Sequence, residues 1–233
     1  MLPQQRHTQL LEFVTSLGLP TLAGLQWHWL DQALIHPSAH LDMDNDRLEF
    51  LGDAVLRHLV TDFLFAAYPT ASPGQLTVWR SHLTSDRYLA SLAERFDLER
   101  VLVVGPTVDA LGRPRRLADA WEALLGSLAL SWGEATLPRL HHWLDPYFRA
   151  TVEELQRDPA AHNPKAALQE LTQSRWGILP EYRVVSQSGP ANAPMFQVQV
   201  WIQGQCWGEG TGSSKKAAEV LAAKAAWEAL QDQ

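Results

Sequence analysis

Hydrophobic positions divide the chain into a longer helical part and a shorter mixed part. In roughly the first 150 residues, apolar side chains recur at spacings of three and four residues, which is typical of helices packed on a core. The longest such stretches are 48–64 and 117–130, and prolines and glycines punctuate the gaps. Asp44 or Asn45 is a suitable N-cap for the first stretch, and Pro114 suits the first turn of the second. This pattern predicts an all-α first domain.

The hydrophobic period changes after a short connection. In the second part of the chain, the predicted elements are, in order, a helix at 165–173, strands at 182–185, 196–202 and 206–209, and an alanine-rich helix at 215–230. The resulting order is α-β-β-β-α, which defines a small α+β domain. We therefore predict a first domain at residues 1–150, a linker at residues 151–162 that includes the end of a helix, and a second domain at residues 163–233.

Composition is typical of a globular protein, with 46% apolar and 19% charged residues. Cys206 is the single cysteine, so no internal disulfide is expected. No apolar run is long enough to span a bilayer, and no signal peptide is recognisable. We therefore expect a cytoplasmic protein without a membrane partner.

The distribution of charge is more informative than the net charge of −7. Residues 163–233 contain six basic and six acidic side chains, so the first 162 residues carry the whole negative excess. An acidic first domain fits a carboxylate-rich site better than a broad phosphate-binding surface. Any contact with nucleic acid must therefore come from a few well-placed groups.

Five carboxylates lie on two apolar helices. Asp46, Glu49 and Asp53 share one face of the first helix, and Asp119 and Glu122 lie three residues apart on the second. Taken alone, each set is also typical of a solvated helix face. Two apolar helices that both contain acids favour a shared divalent cation, because unpaired buried carboxylates are costly. Oxygen ligands without His or Cys at liganding spacing favour Mg²⁺ or Mn²⁺ over zinc.

These segments resemble the ribonuclease III family. Residues 46–56 resemble its signature helix, residues 119–126 its second acidic motif, and residues 33–38 the short motif before the signature. Carboxylates around divalent ions are a known arrangement for in-line phosphodiester hydrolysis. The resemblance therefore implies an endonuclease domain that uses Mg²⁺, with Mn²⁺ as a substitute. It assigns catalysis and metal binding to four carboxylates: Glu49, Asp53, Asp119 and Glu122.

The family works as a homodimer in which the signature helices pair. The resemblance implies that Phe50 and Asp46 lie at the dimer interface, with Phe50 entering a socket on the partner subunit. An ordinary core position remains the alternative for Phe50. Two positions depart from the family pattern. Asp46 stands where glutamate is usual, which keeps the charge, and Pro73 stands where an acidic residue is usual, so that residue's role in shaping RNA cannot be carried over.

Residues 163–231 resemble a double-stranded-RNA-binding domain. The wide minor groove of A-form RNA exposes 2′-hydroxyls that amide and carboxylate side chains can bind, and a helix start favours phosphate. Taken one at a time, the residues that would make these contacts are also typical of an ordinary protein surface. The resemblance assigns RNA binding to Gln169, Glu170 and Gln173 on the first helix, Asn192 in the loop between strands, and Ser214, Lys215 and Lys216 at the start of the last helix.

Two further departures concern RNA affinity. Asn192 stands where histidine is common, and Ala166 replaces a frequent polar residue. We expect RNA binding that is weaker and more salt-sensitive than in a typical relative, which a filter-binding salt titration against a related enzyme would test.

The implied activity is hydrolysis of both strands of double-stranded RNA, leaving 5′-phosphate and 3′-hydroxyl ends, with roles in maturation of ribosomal RNA precursors and turnover of structured mRNA. A non-catalytic scaffold that binds duplex RNA is the alternative from another class, disfavoured by the presence of all four carboxylates. A structural oligomer without RNA is disfavoured by the complete C-terminal pattern. For the ten tryptophans we expect core packing, because an intact duplex offers no splayed bases for stacking.

Overall fold

The computed structural model describes residues 2–106, 108–190 and 193–231. The chain divides into two compact units, residues 1–151 and 152–233. The predicted helical first part and the predicted α-β-β-β-α order of the second part are both confirmed. None of the helices in the described part of the chain has the length and apolar character needed to cross a membrane.

In the described part of the chain, eight α-helices precede the mixed region, and two of them contain the apolar stretches predicted at 48–64 and 117–130. The helices are α1 (Gln4–Ser16), α2 (Trp27–Ala33), α3 (Asp46–Ala67), α4 (Pro73–Leu83), α5 (Asp86–Arg95), α6 (Arg113–Trp132), α7 (Thr136–Arg157) and α8 (Pro159–His162). The predicted linker at residues 151–162 is therefore largely helical. Proline at the first position of α8 is compatible with this, because that position needs no amide hydrogen-bond donor.

The start of α3 is held by residues on either side of it. Asp44 accepts a hydrogen bond from the backbone N–H of Asp46 at 3.2 Å, whereas Asn45 makes no side-chain cap. The Asn45 side chain is buried and donates to the carbonyl of Ala33 at 3.4 Å. Of the two predicted N-cap residues, Asp44 is thus the one that binds an amide of the first turn. Pro114 lies in the first turn of α6, as predicted.

Helices α3 and α6 cross in backbone contact. A Cβ atom on Gly52 would overlap the carbonyl of Glu122, and one on Gly126 would overlap the carbonyl of Leu48. Glycine at both positions therefore permits an approach that any side chain would prevent. This crossing fixes the spacing between the acidic residues of the two helices.

Aromatic side chains fill the interior of the first unit. Trp121 is fully buried, stacks on Phe96 with ring centroids 5.4 Å apart, and contacts Trp143 at 5.5 Å. Across the chain, four of the ten tryptophans are buried and six are half-buried, so none is fully exposed. This distribution agrees with the predicted core packing.

The second unit is a three-stranded antiparallel sheet covered on one face by helices. Its remaining elements are α9 (Pro164–Trp176), β1 (Glu181–Ser188), β2 (Met195–Ile202), β3 (Gln205–Gly212) and α10 (Lys215–Gln231). In register, Val198 of β2 lies opposite Val184 of β1 and Gly210 of β3. Leu168 and Val200 are fully buried between the sheet and the helices.

Strand β3 and helix α10 touch through small residues. A Cβ atom on Gly208 would overlap the backbone of Ala222 and Ala226, and one on Gly210 would overlap the backbone of Ala218 and Ala222. The alanine-rich sequence of α10 is therefore required for close packing, as well as favouring helix formation.

Candidate active site

Three carboxylates from α3 and α6 converge beside the helix crossing. One carboxylate oxygen from each of Glu49, Asp119 and Glu122 lies within 4.8 Å of the others, and all three residues are half-buried. Among the described residues, this is the one group of three or more metal-ligating side chains with such spacing. We call it the acidic cluster. Its all-oxygen donor set suits a hard divalent ion.

Asp53 lies outside the acidic cluster. The Nε of Arg57, one turn further along α3, donates to both carboxylate oxygens of Asp53 at 2.7 and 2.8 Å. The pair is solvent-exposed, with 61% of the Arg57 side chain and 37% of the Asp53 side chain accessible, so it contributes at most about 1 kcal/mol. The charge of Asp53 nevertheless raises the pKa of Glu122 and of Glu49, which places it beside the cluster.

The electrostatics of the acidic cluster favour a cation. Burial, followed by repulsion from Asp53, Glu49 and Asp119, raises the pKa of Glu122 to about 7. Burial and repulsion from Asp119 also raise the pKa of Glu49. Burial raises the pKa of Asp119 as well, although Arg115, with its Nε 3.7 Å from the carboxylate, opposes the shift. The negative charge gathered here is incompletely balanced, and the residues fit a divalent metal ion.

One further acidic residue near the cluster, Asp86, was not singled out from the sequence. Asp86 begins α5, which packs against α6, and its charge raises the pKa of Glu122 and of Asp119. In the sequence, Asp86 follows the N-cap Ser85 and is typical of an ordinary helix start. Its proximity to the cluster depends on helix packing, for which the local sequence carries no signal.

The raised pKa of Glu122 predicts how the stability of the metal-free protein depends on pH. The free energy of unfolding should fall as pH rises from 4.5, the ordinary pKa of this carboxyl, to about 7. Over that interval the folded chain binds more protons than the unfolded chain. The substitution E122Q removes this contribution. Calorimetry with chelator present measures the melting temperature of E122Q minus that of the wild type. This difference should increase by about 5 °C from about pH 5 to pH 8.

Adding Mn²⁺ should reduce this difference, because a bound cation stabilises the ionised wild-type carboxylate but not the glutamine. A melting-temperature difference that is independent of pH would contradict the assignment of the shifted pKa to Glu122.

Phe50 does not belong to the core. Its side chain is 83% exposed on α3, which excludes the alternative of ordinary burial. Asp46, one turn earlier, is also exposed. Both residues are thus accessible to a partner subunit, and their role at a dimer interface stays a prediction.

The residues predicted to bind RNA are exposed at two helices of the second unit. Asn192 lies outside the described residues. Ser214 caps α10 by accepting a hydrogen bond from the N–H of Ala217 at 3.1 Å. The exposed residues are Gln169, Glu170 and Gln173 on α9, and Ser214, Lys215 and Lys216 at the start of α10.

An ion pair that sequence reasoning missed connects these two helices. Lys165 Nζ of α9 lies 2.6 Å from Glu219 Oε2 of α10 and 4.4 Å from the centre of the Tyr182 ring. The pair holds the start of α9 against the first turns of α10. It therefore helps to fix the spacing between the two sets of predicted RNA contacts.

Fold and site together define a two-part protein: a helical unit with a carboxylate cluster suited to a metal ion, and an α-β-β-β-α unit with polar groups exposed on two helices. The Ribonuclease III domain model matches residues 46–133, and the double-stranded RNA binding motif model matches residues 164–230. The chain belongs to the ribonuclease III family.

Relatives cover nearly the whole chain. Ribonuclease 3 2 from Nostoc sp. is 45% identical and covers 97% of this chain and 94% of its own length. Ribonuclease 3 from Gloeobacter violaceus is also 45% identical, with 97% and 93% covered. A crystal structure of the nuclease domain of ribonuclease III from Campylobacter jejuni is 27% identical with a TM-score of 0.52, covering 64% of this chain and 97% of that chain.

Proposed function

We propose that this chain is an endoribonuclease that hydrolyses phosphodiester bonds in both strands of double-stranded RNA and leaves 5′-phosphate and 3′-hydroxyl ends. Residues 1–150 form the endonuclease domain and residues 163–233 the RNA-binding domain. The observation that carries the proposal is the convergence of Glu49, Asp119 and Glu122 in a chain of this family.

The four predicted carboxylates are assigned to a Mg²⁺ site in which Mn²⁺ substitutes. When bound, a divalent ion supplies a water of lowered pKa and stabilises the charge that develops on the phosphate. Glu49 would hold the ion from α3, and Asp119 and Glu122 would hold it from α6. Asp53 would complete the set, because its exposed pairing with Arg57 is weak and can be exchanged for an interaction with the ion.

Glu122 adds a dependence on protons. Because its pKa is raised to about 7, a large fraction is protonated near neutral pH in the metal-free protein. Metal binding requires the carboxylate form and therefore releases protons. Activity at limiting metal concentration should accordingly increase as pH rises through this range.

The direct test is cleavage of long duplex RNA by the purified protein with Mg²⁺, followed by addition of a chelator. We expect short duplex products in the reaction with Mg²⁺ and no further cleavage once the chelator has been added. A protein that binds the duplex with Mg²⁺ present but leaves it intact would instead support the scaffold alternative.

The RNA-binding unit is proposed to bind the duplex substrate. We assign minor-groove contacts to Gln169, Glu170 and Gln173, and phosphate contacts to Lys215 and Lys216. By resemblance to the family, the cellular roles are maturation of ribosomal RNA precursors and turnover of structured mRNA, in the cytoplasm.

The nuclease unit is proposed to act as a homodimer, supported by the exposure of Phe50. The substitution F50D should raise the dissociation constant of the dimer by at least about 30-fold, the effect of losing a buried aromatic anchor from an interface. Analytical ultracentrifugation over a range of protein concentrations measures this change. The control L111D places the same charge at a side chain that is 92% exposed, and should leave the dimer intact. Equal dissociation constants for both variants would exclude Phe50 from the interface.

A further inference from the structure

His36 forms a hydrogen-bonded connection between two distant segments of the nuclease unit. Its Nδ1 lies 2.7 Å from Ser38 Oγ and accepts a hydrogen bond from the backbone N–H of Ser38 at 3.1 Å. Ser38 Oγ in turn accepts from the backbone N–H of Gly105 at 3.0 Å. We call this arrangement the His36 latch. It joins the segment before α3 to the segment before α6.

The donors in the latch determine the protonation state of the imidazole. Because Ser38 Oγ already accepts from Gly105, its own hydrogen is free to be donated to His36 Nδ1. The backbone N–H of Ser38 donates to Nδ1, and the single lone pair of this atom is thereby used; the hydroxyl hydrogen of Ser38 can share the same lone pair. The Nδ1 atom cannot carry a proton, so His36 is neutral with its hydrogen on Nε2.

Backbone contacts reinforce the latch on both sides. The N–H of His36 donates to the carbonyl of Val103 at 2.9 Å, and the N–H of Val103 donates to the carbonyl of Leu34 at 2.8 Å. A Cβ atom on Gly105 would overlap the carbonyl of Ser38, so the two segments are in direct contact. The segments therefore cannot separate without breaking the latch.

The same segment anchors the beginning of α3. The N–H of Asn45 donates to the carbonyl of Ile35 at 2.9 Å, and Gln32 Nε2 donates to the carbonyl of Asp44 at 3.0 Å. Glu49 of the acidic cluster lies in the first turn of that helix. On the other side, the chain after Gly105 leads into α6, which carries the remaining two members of the cluster.

We propose that His36 is a positioning residue for the acidic cluster: as a neutral imidazole it strengthens the connection between the segments that precede α3 and α6, and its protonation weakens that connection. The proposal concerns how the metal site is held in shape and rests on the proposed function of that site.

The groups around His36 favour its neutral form. Burial, followed by the positive charge of Arg116 on α6, lowers the pKa of His36 below its ordinary value, while Asp46 and Asp44 at the start of α3 oppose this shift. The contribution of the latch to stability is therefore fully present above about pH 6.5, the ordinary histidine pKa, and is lost as pH falls through the lower pKa of the folded state.

Asparagine is a suitable replacement that does not titrate. An Asn side chain commonly accepts a hydrogen bond from the N–H two residues later, which is the contact that His36 Nδ1 makes with Ser38. The substitution H36N should therefore preserve the latch at every pH, whereas H36A removes the acceptor. The matched control is H40N, at an exposed histidine in the same loop whose positive φ of 52° asparagine tolerates.

The dissociation constant for Mn²⁺ should be measured by isothermal titration calorimetry between about pH 5.5 and pH 8. We expect H36N and H40N to match the wild type at high pH, and H36A to bind about fivefold more weakly, the effect of one lost hydrogen bond. As pH falls through the lowered pKa of His36 in the folded protein, the wild type and H40N should lose more affinity than H36N. Protonation of the cluster carboxylates weakens binding in all of these proteins, so the ratio to H36N isolates the contribution of His36.

Nitrogen-resolved NMR of the histidine side chains, assigned by comparison with H36N, should show the His36 hydrogen on Nε2. A hydrogen on Nδ1, or parallel pH curves for wild type and H36N, would overturn the proposal. If H36A fails to fold, the comparison of wild type with H36N still decides it. Absence of Mn²⁺ binding in the wild type would count against the proposed function, whereas equal affinity in wild type, H36N and H36A at all pH values would count against His36 alone.

Discussion

Replacing Glu122 with glutamine is expected to reduce cleavage of a labelled RNA hairpin by at least about 100-fold, while binding of the duplex is unchanged. The substitution keeps the size of the side chain and removes one of three converging charges. A bound metal ion contributes several kcal/mol to stabilising the transition state, and a tenfold change in rate corresponds to about 1.4 kcal/mol. Single-turnover cleavage and a mobility-shift assay on the same preparation separate the two effects.

The control for this variant is E134Q, which removes one charge from an exposed position outside the acidic cluster. It should cleave at the wild-type rate. Cleavage by E122Q at an unchanged rate would remove the proposed role of the cluster, and loss of both cleavage and binding would indicate damage to the fold.

The double substitution K215A/K216A is expected to weaken duplex binding about 30-fold and leave cleavage at saturating RNA intact. Both lysines are exposed at the start of α10, where backbone amides and the helix dipole also favour phosphate. Two lost contacts of about 1 kcal/mol each account for the factor. The slope of log affinity against log salt should become shallower by about two, since each phosphate contact contributes roughly one counterion.

A matched double variant tests whether position or net charge matters. R157A/K224A removes the same two charges from exposed sites in the same unit, where both side chains lie near glutamates. It should retain most of the affinity and the salt slope. If the two double variants weaken binding equally, Lys215 and Lys216 have no specific role.

The fold class was predictable because the hydrophobic period differs between the two parts of the chain. Helical spacing over 48–64 and 117–130 identified α3 and α6, and alternation identified β1 and β2. The short helix α8 was not predicted. Pro159 interrupts the pattern, and a proline is compatible both with a loop and with the first turn of a helix.

The candidate site was predictable in composition but not in geometry. Spacing placed Glu49, Asp119 and Glu122 on helix faces, and the structure brings them together. What brings them together is the contact of Gly52 with the backbone of Glu122, between residues 70 positions apart, which no local pattern specifies.

Of two other details of the site, one was predictable from the sequence and one was not. The pairing of Asp53 with Arg57 follows the ordinary i,i+4 rule for helices and was recognisable from the sequence. The exposure of Phe50 was not, because it lies between Leu48 and Leu51 in a largely apolar helix, where an outward-facing aromatic has the same local sequence as a buried one.

The glycines of β3 and the alanines of α10 have a consequence for how the RNA-binding unit tolerates change. Neither residue type has side-chain rotamers to lose, so the strand and the helix associate without the ordering entropy that larger side chains would add. The same close packing leaves no free space between strand and helix. At Gly208 and Gly210 even one additional methyl group must push the helix away from the strand. Evolutionary freedom in this unit is therefore expected to be narrowest at residues that carry no functional group at all.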